Sequence, residues 1–213
     1  MFTATIITIF SLIVLLFSVI IHELAHGYVA YSLGDPTAKY AGRLTLNPLK
    51  HLDAFGSIIL PALLLLATAG QGPIFGWAKP VPINPYNFKD QKWGTLKVSI
   101  AGPATNFAIA IIFGLLIRFL NLPQSLPFIQ LLGIITIYNF LWGLFNLMPI
   151  PPLDGSWILF RFLPAGFEKV KIFLNQYGMI ILIFFIFFNG FSGLSTLANF
   201  LYSMVTGYQF FWM

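Results

Sequence analysis

The chain has 213 residues, 58% of them hydrophobic and only 8% charged, whereas an ordinary soluble domain carries about 25% charged residues. That composition excludes a soluble globular domain and implies an all-α polytopic membrane protein in contact with a lipid bilayer. The net charge of +5 comes from eleven Lys and Arg scattered through polar segments without a basic stripe, so it points away from nucleic acid and toward membrane topology. Cysteine is absent, so any metal must be held by His, Asp, Glu or water.

The first apolar segment, residues 3–33, has no charge over its first nineteen positions and ends at Gly34-Asp35-Pro36, a helix stop. It has no basic n-region or small-residue cleavage site, so it reads as a retained helix rather than a signal peptide. Within it lies His22-Glu23-Leu24-Ala25-His26. Residues four apart share one helix face, so His22 and His26 can point at one metal ion, and Glu23 beside the first of them can act as base on a water. Three of the nine acidic and histidine residues of the chain fall in these five positions. A solvated polar face does not explain that in an apolar helix, where ionisable groups are costly and usually functional.

Residues 40–47 alternate, with Leu44 and Leu46 on one side and Arg43, Thr45 and Asn47 on the other, a period of two that predicts a short strand. Residues 54–69 are apolar but few, with Pro61 inside, which predicts a re-entrant or interfacial segment. Residues 70–85 are rich in Gly and Pro and allow only an edge strand or an extended loop. Apolar segments then follow at 93–121 and 126–147, and three prolines between Met148 and Leu153 break the chain before Asp154. Two closing segments, 170–188 and 191–211, are hinged at Asn189-Gly190. The prediction is about five membrane-crossing helices, the segment 54–69, and short β-strands on the cytoplasmic side. The whole of 1–213 forms one membrane-embedded domain, with a core at 3–155 and a helical pair at 170–211.

A catalytic zinc takes three protein ligands and leaves a position for water. Candidates for the third are Asp35, His51, Asp53, Asp90, Asp154 and Glu168. Asp154 stands out because it ends a segment that can return to the depth of His22. His51 and Asp53 read as interfacial polar residues, and Asn139 as packing.

With these motifs the chain resembles the site-2 protease family of intramembrane zinc metalloproteases. The resemblance rests on His22-Glu23-Leu24-Ala25-His26, on Leu153-Asp154-Gly155 with Asn146 and Pro149 before it, and on Gly102-Pro103-Ala104-Thr105-Asn106, similar to the family's Gly-x-x-x-Asn element. It implies one Zn2+ per chain held by His22, His26 and Asp154, with Glu23 as catalytic acid and base. Asn146 and Asn106 are candidates to orient substrate or stabilise the oxyanion. It further implies transmembrane proteins or peptides as substrates, in a compact form without a PDZ domain.

Bringing the two halves of the site to one depth fixes a topology. The first helix crosses from an outside N-terminus, 93–121 returns, and 126–147 crosses again, with 54–69 making no net crossing. Ten basic residues then fall on the cytoplasmic side with the site and only Arg118 outside, as the positive-inside rule requires. The protein is thus expected to be integral to the cell membrane. A transporter accounts for buried ionisable groups but not for the His-Glu-x-x-His spacing. A catalytically dead binding protein does not explain why all four core residues are present.

Overall fold

The computed structural model describes residues 2–67, 77–188 and 190–210. Eight α-helices follow one another: α1 (Phe2–Ser32), α2 (Thr37–Tyr40), α3 (Leu60–Ala67), α4 (Gly94–Leu120), α5 (Pro127–Asn146), α6 (Asp154–Phe162), α7 (Glu168–Phe187) and α8 (Gly190–Thr206). α1, α4, α5 and α7 are long and apolar enough to cross a bilayer. Their apolar surface faces outward as well as inward. Ile9, Leu12 and Ile13 of α1 and Ile112 and Phe119 of α4 are exposed, the pattern of a helix solvated by lipid rather than water.

The centre is an antiparallel trio. His22 of α1 meets Asn106 of α4 while His26 meets Val98, so α1 and α4 run in opposite directions. Phe107 of α4 packs on Phe140 of α5, and Gly114 lies by Thr136, so α4 and α5 are antiparallel too. Small residues let the backbones approach closely: a Cβ on Gly114 would lie 2.7 Å from Val205, and one on Gly143 2.9 Å from Phe107. α5 is the innermost element, with Ile129, Leu132, Ile137 and Phe140 in a core that Ala110, Ile117, Ala198 and Tyr202 complete.

Two expectations are corrected. No β-strand occurs among the described residues. The alternating stretch 40–47 is instead the end of α2 and a turn, where Gly42 takes a φ of +64°, a left-handed conformation that leaves the extended region. Arg43 turns inward and donates from Nη2 to the carbonyl of Lys79 at 2.6 Å, and Leu44 packs on Gly27. Side-chain anchoring therefore replaces a ladder. The stretch 77–84 has no regular secondary structure.

Among the described residues four helices, not about five, have the length and apolarity to cross a bilayer. α8 has 17 residues, about 26 Å at 1.5 Å per residue, at the lower limit for a bilayer span. It runs antiparallel to α5, with Phe191 stacked on Phe145 and Tyr202 beside Gly133. α7 reaches the same level, where Leu182 joins Phe145 and Leu153, and α8 continues from there toward the end holding Arg118.

The π-helical turn Ala54–Ile59 and α3 have 6 and 8 described residues, about 21 Å at 1.5 Å per residue. Residues 68–69 of the predicted apolar segment, Gly70 to Gly76 of the Gly- and Pro-rich stretch, the hinge residue Asn189, and Phe211 of the last predicted segment lie outside the described residues.

Candidate metal centre

His22 sits ten residues before the end of α1, about 15 Å along its axis from Ser32. Asp154 opens α6, directly after the proline-broken turn. Gly155 makes that tuck possible: a Cβ there would stand 2.1 Å from the Leu147 carbonyl oxygen. The turn brings Asp154 Oδ2 to 3.0 Å from His22 Nε2 and 3.1 Å from His26 Nε2, and the two Nε2 atoms are 3.0 Å apart. His22 and His26 are buried, at 2% and 6% exposure.

Gly102 is the close approach that permits this arrangement. A Cβ on it would lie 2.5 Å from both His22 Cε1 and His26 Nε2. Gly102 and Asn106 are four apart and so share the face of α4 that looks at α1.

The donor chemistry fits a divalent cation. His26 Nδ1 lies 2.7 Å from the Val98 carbonyl oxygen, which can only accept, so Nδ1 carries the proton. His22 Nδ1 lies 2.6 Å from Asn106 Oδ1 and is a donor for the same reason. With Nδ1 of each ring bonded to an oxygen, both Nε2 atoms and a carboxylate oxygen are left converging on one point, the donor set of a metal site. Four ligands at about 2.0–2.1 Å around a tetrahedral zinc stand about 3.3 Å from one another, close to the 3.0–3.1 Å separations found. No other group of His, Asp and Glu converges in this way among the described residues.

The remaining third-ligand candidates are engaged elsewhere. Asp35 accepts from Thr37, Asn84 and Asn87. His51 Nε2 donates to the Thr45 carbonyl, and Asp53 caps the π-helical turn through Gly56 N–H. Asp90 pairs with Lys97, and Glu168 with Lys171.

A cavity of about 430 Å³ opens onto the centre, lined among others by His22, Glu23, His26, Asn146 and Asp154. The extended stretch 80–83 forms part of its wall, and Val81 N–H donates to Glu23 Oε2 at 2.9 Å. Asn146 faces this space, its Nδ2 donating to the Trp142 carbonyl at 3.0 Å. Asn106 does not. It is fully buried, and its amide bonds His22, the Ser18 carbonyl and Asn139. Sequence reasoning missed Val98 and Val81, and read Asn139 as packing without its bond to Asn106. Asn139 lies seven residues before Asn146, hence on the same face of α5, and that spacing was its one available signal.

The sequence profile of peptidase family M50 matches residues 10–126 and 121–186. The chain belongs to peptidase family M50, the site-2 protease family. "Putative zinc metalloprotease YwhC" of Bacillus subtilis (strain 168) is 41% identical over 179 residues, covering 81% of this chain and 77% of its own length. The Rip2 protein of Mycolicibacterium smegmatis, given the same zinc metalloprotease designation, is 31% identical over 79% of this chain and 62% of its own. Zinc metalloprotease MJ0392 of Methanocaldococcus jannaschii is 30% identical over 75% of this chain, which spans 36% of that protein. No solved structure matches significantly. As an M50 peptidase with four bilayer-length helices, the protein is an integral-membrane zinc metalloprotease.

Proposed function

We propose that this M50 peptidase hydrolyses peptide bonds in or beside the transmembrane segments of membrane-protein substrates, as in regulated intramembrane proteolysis. The observation that carries the reading is the convergence of His22, His26 and Asp154, with Glu23 in the same cavity, among helices of bilayer length. In this reading His22 Nε2, His26 Nε2 and an Asp154 oxygen hold one zinc ion. Bound zinc supplies Lewis-acid polarisation of the scissile carbonyl and acidifies water. Glu23 takes the proton of the attacking water and returns it to the departing amine, serving first as base and then as acid. Asn146, with one N–H held by Trp142, turns its other toward the oxygen that gains charge. The substrate helix must unwind locally, because a helix ties up its own peptide groups.

In the expected topology ten of the eleven basic residues fall on the side of the metal centre and Arg118 on the other. That supports a site facing the cytoplasm, an outside N-terminus and residence in the cell membrane. The packing of α8 onto α4 and α5 supports one domain over 1–213, with a catalytic core at 3–155 and the helical pair 170–211 closing it.

The test is cleavage of a transmembrane reporter peptide by protein in liposomes. Chelator abolishes cleavage, and Glu23→Gln lowers it by roughly 10²–10⁴-fold while one zinc per chain stays bound. Normal cleavage by Glu23→Gln removes Glu23 from its role. Ion flux without cleavage favours a transporter.

A further inference from the structure

We propose that Asn139 is a positioning residue for the metal centre: acting through Asn106, it sets the tautomer of His22. The inference rests on the reading of His22 as a zinc ligand. It starts from a group whose polarity is fixed. The Ile135 carbonyl accepts from Asn139 Nδ2 at 2.9 Å. A carbonyl oxygen can only accept, so the Asn139 amide has its nitrogen toward Ile135 and its oxygen toward α4. That oxygen accepts from Asn106 Nδ2 at 2.9 Å, and the second Asn106 N–H goes to the Ser18 carbonyl at a longer 3.3 Å. Asn106 must therefore present Oδ1 to His22, where it lies 2.6 Å from Nδ1 and accepts the Nδ1 proton. Nε2 keeps its lone pair, directed at His26 and Asp154.

Asn139 and the Ser18 carbonyl together hold the Asn106 amide, and the Asn139 bond is the shorter of the two. An Asn106 amide turned by 180° would offer N–H to His22 and favour the tautomer protonated at Nε2, which cannot bind a metal there. Water is not available to substitute: Ser18, His22, Asn106 and Asn139 are all 3% exposed or less. The relay crosses from α5 through α4 to α1. His26 stands apart from it, since its Nδ1 proton goes to the Val98 backbone.

The test uses ¹⁵N imidazole spectra of the full-length, metal-free protein in micelles, where the chain has only three histidines, together with zinc affinity from chelator competition. Wild-type His22 is expected as a single tautomer protonated at Nδ1. In Asn139→Leu, His22 becomes a mixture while His26 is unchanged, and zinc binds about tenfold more weakly, the low end of the roughly 10–100-fold seen for groups behind metal ligands. Asn139→Asp restores both. Burial keeps that carboxyl neutral, so its carbonyl accepts from Asn106 and its O–H donates to Ile135. An Asn139→Leu protein with wild-type His22 signals and affinity overturns the inference. So does wild-type His22 protonated at Nε2, a result that needs no variant to fold. The underlying reading is tested apart: if His22→Ala keeps full zinc affinity, His22 is not a ligand and the premise falls.

Discussion

The floor and the cover of the metal centre are built differently. The floor is α1, α4 and α5, where the polar groups of Asn106 and Asn139 are bonded across helices and sealed by close-packed apolar residues. The cover is residues 33–53 and 77–91, suspended by a few hydrogen bonds. Asp35 holds Asn84 N–H and Asn87 Nδ2, Glu23 holds Val81 N–H, Arg43 holds the Lys79 carbonyl, and Leu33 accepts from Lys89 N–H. Orientation in the floor is over-determined by packing, which yields only in large steps. In the cover it depends on individual bonds, each worth about 0.5–1.5 kcal/mol net. The architecture thus fixes the ligands rigidly and attaches the layer above them separately.

The sharpest way to break that contrast is to disturb the floor without touching a ligand. Gly102→Ala places a methyl 2.5 Å from two imidazoles that have no room to retreat, because both are tethered at Nδ1. Overpacking of this kind costs about 1–3 kcal/mol, and here it falls directly on the ligand geometry. Zinc binding, read by chelator competition, is expected to drop by about 10–100-fold. Gly166→Ala, with nothing within 4 Å of the new methyl, is expected to leave affinity unchanged. Equal affinities for the two variants would mean that the floor yields to an added methyl as readily as open space does.

The cover is tested at Asp35, which has no solvent-exposed surface although it lies under only a thin layer of chain. Its Oδ1 accepts from Thr37 and Asn87 and its Oδ2 from Asn84 N–H. In Asp35→Asn one of these positions becomes an N–H facing another donor, which costs about 1–3 kcal/mol. Cleavage of residues 77–91 by an added protease is expected to rise several-fold while zinc affinity holds. The same bonds give a pH dependence. Burial alone would raise the Asp35 pKa, but the hydrogen bonds from Thr37, Asn87 and Asn84 outweigh it and hold it below the usual carboxylate value. The folded pKa is depressed, so the stabilisation is fully present above the ordinary Asp range, about pH 3.9, and is lost as pH falls through the lower folded value. Protease sensitivity of the cover in the wild type is therefore expected to stay flat down to that range and to rise only below it.

The same division explains what the sequence revealed. Helices α4 and α5 were expected at 93–121 and 126–147 and occur at Gly94–Leu120 and Pro127–Asn146, because a bilayer demands long apolar runs and Pro and Asn mark their ends. The four-residue spacing of His22 and His26 is local, so it places both rings on one side of α1 in any context. The missing strand at 40–47 shows the opposite case. The alternation there did not report burial, since Arg43 is buried and Leu46 exposed, and the deciding partners, Gly27 and the Lys79 carbonyl, are distant in the chain. Asn106 and Asn139 were each visible as amides in apolar helices, but their meeting depends on how α4 and α5 are rotated against each other, which neither segment encodes alone.

The smallest effect is expected from the other depressed carboxylate of the cover. Asp90 accepts from Lys97 Nζ at 2.6 Å and from Trp93 N–H at 2.9 Å, and the Lys97 hydrogen bond is the first cause holding its pKa low. On paper it resembles Asp35, with a charged partner in addition. The difference is solvent. Lys97 keeps about half of its side chain exposed, at 53%, so water can replace either partner and salt screens their attraction. Asp90→Asn is expected to leave zinc affinity, reporter cleavage and protease sensitivity of the cover within error of wild type, at low and at high salt. A loss matching that of Asp35→Asn would show that charge rather than burial holds the cover down, and in that case the Asp35→Asn defect would have to shrink as salt is added.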